Sequence, residues 1–104
     1  MEVWKKLEGY DNYEFSNKGR ICEIKKAKFI NPRMNNNGFL EWVYLKKNHS
    51  WISVKYHYLI ASTFIENLDA TRTNIIHLDK NVLNNDISNL CWVTLYDYRD
   101  WTGT

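Results

Sequence analysis

The chain has 104 residues, 44% of them hydrophobic and 15% aromatic, which allows one modest core, excludes a second one and sets it apart from disordered compositions. No apolar run approaches the roughly 20 residues that cross a bilayer, and Met1–Tyr10 has no apolar stretch of signal-peptide type, so a soluble, intracellular protein without membrane contact is expected. The net charge of +2 divides unevenly: residues 1–56 hold 11 Lys/Arg against 6 Asp/Glu, a net +5, and residues 57–104 hold 3 against 6, a net −3, so only the first half is suited to following a phosphate backbone.

The first half reads as antiparallel β structure. Tyr13 and Phe15 alternate with polar neighbours, Asn17-Lys18-Gly19 makes a turn in which glycine supplies the positive φ, and Ile21 and Ile24 lie on the returning strand. After Lys28-Phe29-Ile30-Asn31, Pro32 and the run Asn35-Asn36-Asn37-Gly38 mark a loop leading into a strand over Phe39–Leu45. Lys47-Asn48-His49-Ser50 reverses the chain into Trp51–Tyr56, where Ile52, Val54 and Tyr56 alternate with Ser53 and Lys55 as one buried and one wet face. From His57 the period changes. Leu59, Ile60, Thr63 and Phe64 suit a short amphipathic helix that ends near Glu66-Asn67. A polar stretch, 69–73, precedes a short strand at Ile75-Ile76-His77, and Asn84-Asn85-Asp86 opens a loop. Cys91-Trp92-Val93 reads as a strand, with Thr94 as N-cap of a final helix over Leu95–Trp101. Trp4, Trp42, Trp51 and Trp92 are expected in the core. Cys22 and Cys91 have no CxxC partner, so neither a zinc site nor a disulfide scaffold is indicated, and both are expected as reduced core thiols.

Two stretches together resemble a known family. Trp4, Gly9-Tyr10 and Tyr13-Glu14-Phe15-Ser16-Asn17-Lys18-Gly19-Arg20-Ile21 are similar to the W…G-Y…Y-x-V-S-N-x-G-R-V module at the front of phage- and intron-encoded HNH homing endonucleases. His57-Tyr58-Leu59-Ile60-Ala61…Phe64, His77-Leu78-Asp79-Lys80-Asn81, Asn84-Asn85 and Asn89-Leu90-Cys91-Trp92-Val93-Thr94 resemble the same family's H-R-L-V-A-x-x-F, H-x-D-G-N, N-N and N-L-x-W-V-T segments. The resemblance implies an α+β fold, a small antiparallel sheet with two short helices, ending in a His-Me finger: a ββα element that holds one divalent cation against the scissile phosphate. It makes residues 1–104 a single domain, a basic β-rich module over 1–56 followed by an HNH-like core over 57–104. By position His77 is the general base that activates water, and Asn89 orients the histidine or the substrate.

Departures from the pattern fall at the metal. The residue before the base is normally Asp or Asn and is Ile76 here, which has no lone pair; four residues after Thr94, where Asn or His is expected, stands Tyr98. The glycine of H-x-D-G-N is Lys80, which strains a turn that needs positive φ. Asp79 is the weak metal candidate that is left, and Asp97 is one residue out of helical register, so no metal or other cofactor is expected unless the nuclease reading holds, in which case Mg²⁺ or a similar divalent ion is required. The family's relatives continue beyond this helix into a DNA-reading segment, and the sequence in hand ends at Thr104, so few base-specific contacts are expected. Lys25, Lys26 and Lys28, with Lys46 and Lys47, are candidate phosphate grips, and Tyr96, Tyr98 and Trp101 a candidate partner-binding patch. Two functions follow. One is a catalytically degenerate HNH-like, phage-type protein acting by binding, as an inhibitor of a host defence factor or as a nucleic-acid or nucleotide binder, with a host or phage protein or nucleic acid as partner. The other is an active Mg²⁺-dependent DNA-nicking endonuclease with rearranged ligands.

Overall fold

The computed structural model describes residues 1–45 and 49–103. Three antiparallel sheets follow one another along the chain. In the first, β1 (Trp4–Lys5), β2 (Tyr13–Ser16), β3 (Ile21–Glu23) and β4 (Lys28–Phe29) lie side by side in sequence order. The β2–β3 hairpin is the one the alternation predicts: Phe15 faces Ile21, and both are wholly buried. Gly19 supplies the left-handed backbone of its turn with φ of 89°, and the buried Ser16 hydroxyl accepts from the Lys18 and Arg20 amides at 3.2 and 3.0 Å, which closes it.

The second sheet is ordered β5 (Arg33–Met34), β6 (Leu40–Leu45), β7 (Trp51–Lys55). Along β7 residues alternate between exposed and half-buried, as a period of two requires. Trp51, expected in the core, shares the parity of Ser53 and Lys55 and is 69% exposed. Trp42 is buried, while Trp4, Trp92 and both cysteines are half-buried. The short strands β1, β4 and β5, two residues each, carry too little alternation to be read from sequence.

Tyr56 begins α1 (Tyr56–Phe64), the central helix, which buries Tyr56, His57, Leu59, Ile60 and Ala61 and packs against β2, β6, β7 and β9. It stops before the predicted Glu66, because Ile65 is already extended, with only its amide still bonded back to Ala61 O at 2.8 Å. The third sheet pairs β8 (Asn74–His77) with β9 (Leu90–Val93), and a 3₁₀ turn at Ile87–Asn89 leads into β9. The final helix α2 (Leu95–Thr102) packs on β8; Thr94 Oγ1 caps its start by accepting from the Asp97 amide at 3.1 Å. Strands β8 and β9 with α2 make a ββα unit.

One cluster unites the halves: Phe15, Ile21 and Trp42 are buried together with Leu59, Ile60, Ile75 and Leu90. A seam adds to it, where the β2–β3 turn docks on the β8–β9 loop. Ile87 donates its amide to Asn17 O at 3.0 Å, Lys18 Nζ lies 3.3 Å from the Asp86 carboxylate, and a Cβ on Gly19 would stand 2.8 Å from Asn85 O. Among the described residues no helix is long and apolar enough to cross a membrane.

Candidate active-site cleft

His77 ends β8 opposite Leu90 of β9, and the strand's last three residues are all buried where β9 pairs with the strand and α2 packs on it. Its ring is 4% exposed, and Nε2 lies 2.9 Å from Asn85 Oδ1. A carboxamide oxygen only accepts, so in this bond Nε2 is the donor. Asn85 itself is buried, and its Nδ2 has no hydrogen-bond partner among the described residues.

Asn89 holds the loop rather than the imidazole. Its Nδ2 donates to Asp79 Oδ1 and to Asn84 O, each at 2.9 Å, and its Oδ1 accepts from the Asp79 amide at 2.8 Å. Asp79 is thereby committed: Oδ1 also accepts from the Asn81 amide at 2.7 Å, and Oδ2 from Asn84 Nδ2 at 3.0 Å. The Asn84 carboxamide, followed by the Asn81 amide, holds the Asp79 carboxyl below the usual carboxylate range. Adjacent amides in sequence give Asn84 and Asn85 the same expected loop role. The fold separates them, because only Asn85 is turned inward far enough to reach His77.

Beside His77 opens a cleft of about 240 Å³, walled by Ile75 and Ile76 of β8, Tyr98 and Trp101 of α2, Phe39, and Lys80 and Val82 of the β8–β9 loop. Tyr98 and Trp101 stand three residues apart and share the inward face of α2, whereas Tyr96 is 83% exposed on another face, so the three aromatics do not form one patch. Lys80 adopts φ of 64°, the left-handed conformation that the family pattern gives to glycine, at about 1–2 kcal/mol for a side-chain-bearing residue. From there its Nζ sits 5.1 Å above the Trp101 ring.

The donor set does not fit a hard divalent cation. Such an ion takes several oxygen ligands, but the two side chains at the expected ligand positions, Ile76 and Tyr98, bring an aliphatic chain and a phenol to the His77 cleft. Asp79 spends both carboxylate oxygens on amides of its own loop. Among the described residues no three His, Cys, Asp or Glu side chains are grouped as a metal site.

His57, 3% exposed, packs near the site with its ring centre 5.0 Å from that of His77, edge to face, and 5.3 Å from that of Phe39. Its buried Nδ1 has no hydrogen-bond partner among the described residues, and burial, followed by the neighbouring His77 and Lys55 charges, pushes its pKa down to about 3. It is a neutral packing group. Lys25, Lys26 and Lys28 are exposed at the β3–β4 turn; Lys46 and Lys47 lie outside the described residues.

Comparison with known proteins agrees with this architecture. Residues 2–43 match the NUMOD4 motif. The chain is 38% identical over 90 residues to an uncharacterized HNH endonuclease of Acanthamoeba polyphaga mimivirus, covering 86% of this chain and 26% of that protein. It is 32% identical over 92 residues to DNA endonuclease I-HmuI of Bacillus phage SP01, covering 88% of this chain and 52% of the relative. The solved structure described as DNA binding and cleavage by the HNH homing endonuclease I-HmuI superposes with a TM-score of 0.81 at 28% identity, over 98% of this chain and 60% of that one. The chain therefore spans between a quarter and about half of the length of these curated relatives. The α+β fold with antiparallel sheets and two helices is the I-HmuI fold.

Proposed function

This chain belongs to the HNH homing endonuclease family, and from that premise we propose that it is a nucleic-acid-binding member whose hydrolytic site has become a largely apolar cleft. The observation that carries the reading is the wall of that cleft: Ile76 and Tyr98, at the two positions where the family pattern has metal ligands, face the same space as His77. Buried apolar side chains there disfavour a hydrated cation, and an unliganded cation is of no use to the His77 base. Nucleic acid is the partner because the relatives with this fold include a DNA-binding endonuclease, and because the exposed lysines of the first half remain available to phosphates. A host or phage protein, including a defence factor that the domain inhibits, is the other partner of a non-catalytic scaffold; the exposed Tyr96 is its only specific support.

The second reading, an active Mg²⁺-dependent nicking enzyme, draws on His77, which stands at the family's base position with its ring held by Asn85. A plasmid-nicking assay with Mg²⁺ or Mn²⁺, run with a duplex gel shift, separates the two. The wild type is expected to shift duplex DNA without nicking it, and Ile76→Asp/Tyr98→Asn to acquire Mn²⁺-dependent nicking that His77→Ala removes. Metal-dependent nicking by the wild type, abolished in His77→Ala, overturns the non-catalytic reading, and failure to shift any DNA overturns the binding one.

A further inference from the structure

We propose that the cleft beside His77 receives a single unpaired nucleobase, stacked on Trp101 and Tyr98 with its phosphate on Lys80. This rests on the nucleic-acid-binding reading above and specifies which form of nucleic acid the site takes. At about 240 Å³ the cleft is smaller than the ~300–1,000 Å³ of a drug-sized site, which suits one flat ring system with its sugar and phosphate left outside. Its walls are of the kind that bases stack on: Phe39, Tyr98 and Trp101 supply π-faces, and Ile75, Ile76 and Val82 complete an apolar floor.

Charge at the rim names the rest of the ligand. Lys80 Nζ lies 5.1 Å over Trp101, and Lys55 Nζ lies 5.9 Å over Phe39, so a cation stands at each of two aromatic walls. An amine beside a stacking platform is the pairing that single-strand binders use, the ring holding the base and the cation the backbone. Lys80 keeps that place at the expense of a left-handed backbone which glycine would adopt freely, and a strained residue at a cleft is a pointer to a role there. His77, Tyr98 and Thr102 bring polar groups into a mostly apolar cleft, where the edge of a base would meet them. A base stacked within a duplex cannot enter, so the site discriminates unpaired from paired strands.

The test is fluorescence anisotropy of the full chain with a short labelled oligothymidylate and with a duplex of equal length, for the wild type, Trp101→Ala and Lys80→Gln. Trp101 is 36% exposed on a helix that buries no residue, so its truncation leaves the core intact, which circular dichroism checks. Loss of one base stack predicts roughly 5- to 150-fold weaker single-strand binding by Trp101→Ala. Duplex affinity should stay unchanged in that variant, and Lys80→Gln should weaken single-strand binding at low salt and converge on the wild type at high salt. Equal weakening on both ligands, or single-strand binding untouched by Trp101→Ala, overturns the inference while the binding reading stands. Absence of binding to either ligand overturns both.

Discussion

Gly19 sits on the seam between the two halves of the molecule, and Gly19→Ala tests whether that seam holds the hydrogen-bond partner of His77 in place. Two costs add. A methyl-bearing residue at φ of 89° is destabilised by about 1–2 kcal/mol of left-handed strain. The new Cβ would also stand 2.8 Å from Asn85 O and 2.9 Å from its Cβ, close to a buried residue that cannot swing away, and overpacking of this kind costs about 1–3 kcal/mol. The sum, about 2–5 kcal/mol, is a large share of the ~5–15 kcal/mol that stabilises a domain. Gly38 separates the two effects: its φ is 85°, but a Cβ there meets nothing within 4 Å, so Gly38→Ala carries the backbone cost alone. Urea denaturation of both variants should show Gly19→Ala less stable by about 1–3 kcal/mol more than Gly38→Ala. The His77 ring resonances should move in Gly19→Ala only, because the displaced residue is Asn85, whose Oδ1 holds Nε2. Equal destabilisation in the two variants, with His77 unmoved, would refute the idea that the hairpin turn braces the cleft.

Acid should destabilise the fold through His57. Its folded pKa of about 3 lies below the ordinary 6.5, so the unfolded chain binds the proton first, and stability falls as pH drops from 6.5, with a limiting slope of about 1.4 kcal/mol per pH unit. Between pH 6.5 and roughly 4.5, above most carboxylate titration, that slope should be present in the wild type and absent in His57→Phe, as measured by denaturant midpoints across pH. Replacing Lys25, Lys26 and Lys28 by Gln should weaken DNA binding and lower the salt slope of log K by about 0.9 for each phosphate no longer neutralised, with the melting temperature unchanged; an unaltered slope would remove the β3–β4 turn from the interface.

Legible in the sequence is whatever repeats with a period or sits at a fixed offset. The β2–β3 hairpin, β7, β8, β9, the Thr94 cap and both helices follow from alternation, turn chemistry or capping, and the structure has each within a residue or two. Trp51 departs from expectation because its hydrophobicity conflicts with its parity, and parity wins: Ile52 and Val54 assign it to the wet side of the strand. The inward turn of Tyr98 and Trp101 away from Tyr96 depends on which face of α2 meets β8, a tertiary fact that eight residues without a buried position do not announce. Likewise no local rule tells Asn85 from Asn84, since the difference arises only when Gly19 and Asn17 press the loop from outside. The left-handed Lys80 is the exception, because a glycine position filled by another residue either moves the turn or strains it, and here it strains it.

The presence of His77 beside altered ligand positions has a physical reason that is independent of catalysis. His77 and Asn89 are both buried and bonded within the loop that joins β8 to β9, so their removal would leave unpartnered donors or acceptors at about 1–3 kcal/mol each. A carboxylate at position 76 has no such structural support. With Ile76 only 8% exposed, an aspartate there without an ion would be a charge shut away from water, whereas isoleucine adds apolar contact to the strand. On the non-catalytic reading proposed above, replacing the ligand at position 76 relieves a buried charge, whereas replacing His77 would break a buried hydrogen bond. On the same reading His77 serves the fold through its bond to Asn85, and the residues that bear on activity are Ile76 before it and Tyr98 on the inner face of α2.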